Sequence, residues 1–469
     1  MRSRRTRNLT ATTLVCAAAL LSVPATAAAL KVTWMKGLAV PGTPAKYDKV
    51  GVIKVGPAKA KNVLVLAPGT SAGSAYFVPL AQWLVSKLPG WQVWSEERRE
   101  NLLEDQSVLN LAKRGKASAQ TVFNYYLGYL TDPSVTRHFK LIPDSSVQFA
   151  KQWGMNVAVQ DLHRVIAAAD KLGGNVVLGG HSLGGSVVTA YATWNFNGHP
   201  GADDLDGLVY IDGGSVPAES AAEATAALTT LGQQATPWLS FGGIAAPFAG
   251  LFNATGSLGA LQDPNARSLG QQFPALPADL KPPVPVTNLG QYGYALNVGT
   301  SPASLIAAQG HLGKGVTKSA KNGLHGWDGS GALTPIKRFA TMFSGIGTNN
   351  VDGTEWYFPL RLTDDTRAVN NGLANPAQAV LDVHSTMGRR LPHRLKIYAF
   401  GAALGGQGVL LDAQQLAKQS HIPRRNLVLI NRHSTYAHND PAGAFPHNVF
   451  FAHLVPFLRQ FPTPGTATG

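Results

Sequence analysis

Cysteine is all but missing from this chain. The single one, Cys16, sits near the N-terminus, so neither a disulfide framework nor a cysteine-based metal or redox centre is available. Charge is sparse as well. Asp, Glu, Lys and Arg make up 14% of the residues, with 40 Lys and Arg against 26 Asp and Glu for a net +14. Basic clusters such as Arg389-Arg390 and Arg424-Arg425 are short and not interleaved with aromatics. They read as a basic solvated surface with at most weak attraction to anionic envelopes, and no nucleic-acid partner is expected. Past the N-terminal segment no apolar run reaches the ~18 residues of a membrane span, so no transmembrane segment is expected. No His-Glu-x-x-His pair occurs, and the glycine-rich Gly401 to Gly408 lacks the lysine and serine of a phosphate loop. No metal and no cofactor are therefore expected.

What is present begins with an export signal. Arg2, Arg4, Arg5 and Arg7 form a basic start, Leu9 to Val23 is mostly apolar, and Ala25-Thr26-Ala27 offers a small-x-small cleavage pattern. This predicts a secretory signal peptide over 1–29 and a secreted, extracytoplasmic protein. Ser22-Val23-Pro24 breaks the segment too early for an anchor, and Arg4-Arg5 leaves a twin-arginine route open. Thr13-Leu14-Val15 lacks the small residue that lipidation of Cys16 would want. Cleavage would leave a chain of net charge +10 without cysteine, stabilised by core packing alone.

The most informative stretch runs from Asn175 to Val188. It reads as a short apolar strand, the turn Gly180-His181-Ser182-Leu183-Gly184, and the start of an apolar helix. A G-x-S-x-G turn between a strand and a helix is a nucleophile elbow, which thrusts the serine hydroxyl out of the top of a sheet. Small residues flank it because strand and helix backbones approach closely. The helix N-terminus beneath offers free N–H groups and a positive dipole end to a developing oxyanion. Ser182 is the expected nucleophile.

Around this turn, Lys49 to Val55, Lys61 to Ala67, Gln92 to Trp94 and Leu208 to Ile211 read as strands. Val159, Leu162, Val165, Ile166 and Ala169 fall on one helical face. Such alternation argues for a parallel sheet with helices on both sides. From Ser215 to Pro392 the chain turns Ala-, Gly- and Pro-rich with scattered aromatics, starting with a helix from Pro217 to Leu231. The earlier pattern then returns with strands at Leu395 to Phe400 and Asn426 to Ile430, and helices at Leu411 to Gln419 and Asn448 to Leu458.

Over about 45–215 and 393–460 this organisation resembles the α/β-hydrolase superfamily. The resemblance implies a mostly parallel central sheet flanked by helices, with a large, mainly helical cap inserted after the strand that follows the nucleophile helix. The expected divisions are 30–214 and 393–469 for the core and 215–392 for the cap or lid. Cap aromatics such as Trp238, Phe241, Phe252 and Trp356 would pack the cap's own core or line an acyl or aromatic pocket.

A serine needs a general base to take its proton. In the resembled family that histidine lies between the last core strand and the last helix, in the chain order Ser, acid, His. His438 fits this placement; His433, in the same loop, is its rival. For the acid, Asp212 ends the strand Leu208 to Ile211 ahead of Gly213-Gly214, and Asp412 is held in reserve. Asp212 also admits a plain structural role, as a helix cap. The oxyanion hole requires two fixed N–H donors. Leu183 supplies one; the loop after Ala67, which begins Pro68-Gly69, supplies the other from Thr70 or Ser71, with Thr70 preferred. Arg98, Arg99, Glu100, Glu104 and Asp105 read as an Arg–carboxylate network holding the loop after Trp94, with a substrate clamp the sharper alternative. Together these residues imply a secreted serine esterase or lipase acting on small-molecule or lipid esters. A peptidase or amidase, an acyltransferase, and a non-catalytic exported binding protein on the same fold remain open.

Overall fold

The computed structural model describes residues 29–318 and 323–462. Cys16 and, except for its last residue, the expected signal peptide 1–29 lie outside the described residues. Among the described residues no helix is long and apolar enough to cross a membrane.

A nine-stranded sheet organises the molecule. Its strands are β1 (Leu30–Lys36), β2 (Lys49–Val55), β3 (Asn62–Ala67), β4 (Trp91–Glu97), β5 (Val176–His181), β6 (Gly207–Ile211), β7 (Thr348–Asn349), β8 (Lys396–Gly401) and β9 (Leu427–Asn431). They lie in the order β7-β1-β2-β4-β3-β5-β6-β8-β9. From β4 to β9 every pairing is parallel, whereas β2 runs antiparallel to both β1 and β4. The expected α/β-hydrolase architecture is therefore present.

Two helical layers cover the sheet, and the strand pleat assigns their partners. On one face Val63, Val65, Leu178, Leu208 and Ala399 pack against α2 (Met155–Asp170), α3 (Leu183–Ala192) and α8 (Gly406–Gln419). On the other, Leu64, Leu66, Val177, Val209 and Phe400 meet α1 (Val78–Lys87), α7 (Ile336–Ser344) and α9 (Val449–Leu458). A parallel sheet buried on both faces demands continuous apolar strands, and all six residues of β3 are buried. The α2 face expected from its spacing is fully inside: Val159, Leu162, Val165, Ile166 and Ala169 show no exposed surface.

The regular structure of 215–392 is mostly helix, including α4 (Ala221–Gln233), α5 (Phe248–Gln262) and α6 (Asn288–Leu296). Parts of it nevertheless belong to the sheet assembly. β7 pairs with β1 at the sheet edge, and Ile336, Phe339 and Phe343 of α7 sit in the core facing β3. Conversely, Leu109, Val122, Tyr126 and Trp153 pack with Trp238, Leu251, Leu258 and Trp356. The hydrophobic interior of the cap thus draws on the segment between β4 and α2 as well.

Register fixes where the chemistry gathers. Ala67 pairs with Gly180, His181 with Ile211, and Ile211 with Phe400. The C-terminal ends of β3, β5, β6 and β8 are thereby level, and each delivers its following loop to one edge, the usual place for a ligand crevice in such sheets.

Candidate active site

Ser182 stands at the β5–α3 junction with φ 57° and ψ −127°, a conformation costing on the order of 1–3 kcal/mol that only its surroundings can hold. Those surroundings are visibly tight. A Cβ on Gly180 would lie 2.1 Å from the Gly184 carbonyl oxygen, and one on Gly184 would lie 2.3 Å from that of Ala67. This is the close approach that the flanking glycines of the elbow predict. The Ser182 N–H donates to Ile211 O at 3.0 Å, and Ser182 O accepts from the Gly185 N–H at 2.8 Å. The turn is locked on both sides.

Asp212 follows β6, also with positive φ (48°), and its carboxylate is enclosed by donors. The amides of Ala402, Gly405 and Gly406 donate to Oδ1 at 2.6, 3.0 and 3.2 Å, and that of Leu404 to Oδ2 at 3.1 Å. His438 Nδ1 reaches Oδ2 at 2.6 Å. Burial alone would raise this carboxyl, but the hydrogen bond and charge of His438, with the amides of Ala402 and Leu404, hold it below the usual carboxylate range. An ionised Asp212 accepts, so His438 Nδ1 is the donor and Nε2 is the nitrogen left for other chemistry. That atom is buried and has no hydrogen-bond partner among the described residues.

His438 and Ser182 line the same small pocket, of about 40 Å³. The structure thus brings together Ser182, His438 and Asp212. The reserve acid, Asp412, lies elsewhere: it sits in α8 with its Oδ2 beside Gly214, and burial pushes its carboxyl up to about 6. His433 is exposed and bonded to Asn431 Oδ1 at 2.7 Å. Both oxyanion candidates are near the serine. Leu183 opens α3, whose first amides have no carbonyl one turn earlier to bond. Thr70 and Ser71 both line the Ser182 pocket. Gly69 must be glycine, because an added Cβ would meet Ser182 Cβ at 2.8 Å.

The network read from Arg98 to Asp105 does more than hold its own loop. Arg98 Nη1 donates to Pro68 O at 2.9 Å, and Nη2 donates to Gly69 O at 2.8 Å and Ala72 O at 3.1 Å. The buried guanidinium therefore grips the carbonyl side of the loop carrying Thr70. It is balanced by Glu100 at 3.1 Å and by Glu355 from the inserted segment. Arg99 is spent separately, on Asp161 and Asp48. Neither arginine lines the Ser182 pocket, which leaves no role for them as a substrate clamp there.

Sequence reasoning passed over three supports of the His438 loop. His181 Nε2 donates to the His438 carbonyl oxygen at 2.9 Å, and its ring stacks on Tyr76. Tyr76 OH donates to Asn439 Oδ1 at 2.9 Å. Asp440 accepts from the Ala437 amide at 2.7 Å, from Thr334 at 2.7 Å and from His311 Nδ1 at 2.6 Å, tying the loop to the inserted segment. The only prior signal was adjacency: His181 sits inside the elbow, and Asn439 and Asp440 follow His438.

His181 also sets a pH response. Burial, and secondarily the neighbouring His438, push its imidazole down to about 3. Between that value and the ~6.5 of an exposed histidine, the unfolded chain binds the proton and the folded one does not. Stability therefore rises with pH across this window and drains away as pH falls through it. His181→Gln, which cannot titrate, should flatten the dependence of denaturation midpoint on pH between 6.5 and 3.5. An unchanged slope in urea titrations would refute the assignment.

No family model matches the chain, and no curated protein matches it. Among solved structures it is similar to a provisionally named lipase from Sulfolobus solfataricus, at 14% identity and a TM-score of 0.47 over 92% of this chain and 93% of that one. It is also similar to epoxide hydrolase A from Mycobacterium thermoresistibile, at 11% identity and a TM-score of 0.40 over 92% and 99%. A third is a thermostable carboxyl esterase from Bacillus coagulans, at 10% identity and a TM-score of 0.38 over 92% and 99%.

Proposed function

We propose that this protein is an exported serine hydrolase that cleaves carboxylic esters through an acyl-enzyme. Ser182 is the nucleophile, His438 the general base and Asp212 the acid that orients it. One observation carries the reading: His438 is bound through Nδ1 to a buried carboxylate at 2.6 Å while its other nitrogen is buried and unpartnered in the wall of the pocket it shares with Ser182. An imidazole so held is a base waiting for a proton. Loosened serine–base contacts are common in unliganded sites and tighten on substrate binding.

In the first half-reaction Ser182 Oγ bonds to the carbonyl carbon as its proton passes to His438 Nε2. The carbonyl oxygen, now anionic, is received by the amides of Leu183 and Thr70, each such donor being worth about 2.7–4 kcal/mol. Collapse breaks the C–O bond to the alcohol, which takes the proton from the imidazolium. Water then adds to the acyl carbon, His438 again taking a proton, and the carboxylic acid leaves with Ser182 restored. Esters are favoured over exopeptidase substrates because, among the described residues, no Asp, Glu, Lys or Arg lines the pocket to hold a charged chain terminus. Export rests on residues 1–29 alone.

A fluorophosphonate probe tests the core of this reading. The wild-type protein should be labelled stoichiometrically and should hydrolyse p-nitrophenyl acetate, whereas Ser182→Ala should do neither. Equal labelling of both would remove Ser182 from the mechanism.

A further inference from the structure

A second cavity, of about 130 Å³, lies between α5, α6 and the helix Ala119–Tyr126. Among the described residues none of its wall is charged, and Leu127, Phe252, Phe273, Leu276 and Leu305 are representative. Most polar groups in the wall are engaged within the protein, although the buried Gln291 Oε1 has no hydrogen-bond partner among the described residues. Asn288 Nδ2 donates to Asp263 O at 2.9 Å, Gln291 Nε2 to Leu280 O, and Tyr292 OH to Asn253 Oδ1 at 3.2 Å. Such a chamber offers almost nothing to a peptide, whose N–H and C=O groups would be buried without partners. It suits an unbranched hydrocarbon.

Its position relative to Ser182 gives it meaning. Phe241, Ala249, Asn253 and Ala308 belong to the walls of both this chamber and the Ser182 pocket. Phe241 is fixed there by a tight hairpin, exchanging 3.0 Å backbone hydrogen bonds with Ile244, itself a chamber residue. We propose that the chamber is the acyl-chain site of this hydrolase. The ester carbonyl rests at Ser182, the alkyl tail passes between Phe241 and Asn253 into the space between α5 and α6, and the preferred substrates are therefore medium- or long-chain acyl esters. This rests on the ester-hydrolase reading and names its substrate class. Each methylene buried should raise kcat/KM by about fourfold, so octanoate, four methylenes longer, should exceed butanoate by on the order of 10²-fold.

Gly256 provides the test. It lines the chamber, and an added Cβ there would meet only the Tyr292 ring, at 3.4 and 4.0 Å. Gly256→Ala therefore adds a Cβ with little disturbance, and Gly256→Leu fills more of the chamber. On p-nitrophenyl esters, the ratio of kcat/KM for dodecanoate to that for acetate should fall at least tenfold in Gly256→Leu and by a smaller factor in Gly256→Ala. Binding of the fluorescent fatty acid cis-parinarate to the full-length Ser182→Ala protein supplies a readout independent of turnover. Dodecanoate should displace the probe and butanoate should not, and adding Gly256→Leu should weaken probe binding at least tenfold. A flat chain-length profile in the wild type, or probe binding indifferent to both position-256 variants, overturns the proposal even if acetate is hydrolysed and Ser182 labelled. Probe binding sensitive to position 256, in a wild-type protein that neither hydrolyses acetate nor takes the label, upholds the chamber as a fatty-chain site and overturns the hydrolase reading instead.

Discussion

Asp212→Asn lowers kcat on p-nitrophenyl esters by about 10⁴-fold, whereas Asp412→Asn stays within about threefold of wild type. The contrast follows from where the two carboxylates are. The Asp212 oxygens receive His438 Nδ1–H and four backbone amides, so the ring is held in the tautomer that leaves Nε2 free. An amide at 212 can turn its NH₂ toward His438 only by reversing that tautomer, and it can turn its oxygen there only by setting its NH₂ against amide donors. The first choice removes the base, and the second sets donor against donor around it. Asp412 touches neither His438 nor Ser182; it is half-buried near Asn371, with its carboxyl pushed up to about 6. Removing its titration should leave the rate nearly untouched. Steady-state kinetics on both variants, with circular dichroism to confirm folding, decides the matter. Abolition of turnover by Asp412→Asn alone would reverse the assignment.

The sheet and the elbow were legible because both depend on local rules. Buried parallel strands need unbroken apolar runs, which Asn62–Ala67 and Val176–His181 display openly. The glycines of the elbow answer a steric demand between residues close in sequence. His438 could be placed by chain order, and Asp212 by the strand it ends. Other features were invisible for an equally physical reason. The strand Leu30–Lys36, next to the sheet edge, is only partly buried and alternates irregularly, and the edge strand beside it, Thr348–Asn349, is two residues long and comes from far along the chain. The packing of Ile336–Ser344 into the sheet core cannot be told from cap packing by periodicity. Likewise, Arg98 beside Glu100 looks like any charged loop, since its partner Glu355 and the carbonyls of Pro68, Gly69 and Ala72 converge on it only in three dimensions.

That convergence gives Arg98 a large expected effect outside the proposed triad. Arg98→Met removes a fork that bonds three carbonyls of the oxyanion loop and strands Glu355 and Glu100 in the interior. Burial works against the charge on Arg98, yet these carboxylates outweigh it and hold the guanidinium firmly protonated. Breaking one side of such a buried pair costs about 3–5 kcal/mol of stability, readable as a drop in the urea midpoint. Catalysis should suffer separately. With its carbonyls released, the loop no longer fixes the Thr70 amide, and loss of one oxyanion donor lowers kcat by about 10²–10³-fold with KM little changed. The two effects can be split. In Arg98→Met/Glu355→Gln the stranded carboxylate opposite Arg98 is neutralised, so much of the stability returns while kcat stays low. Arg98→Lys keeps the charge but lacks the fork, and one ammonium cannot serve all three carbonyls. It should sit near wild type in stability relative to the methionine variant, yet remain deficient in kcat. If kcat recovers in step with stability across these variants, Arg98 only holds the fold together; if it does not, the guanidinium shapes the oxyanion hole from behind.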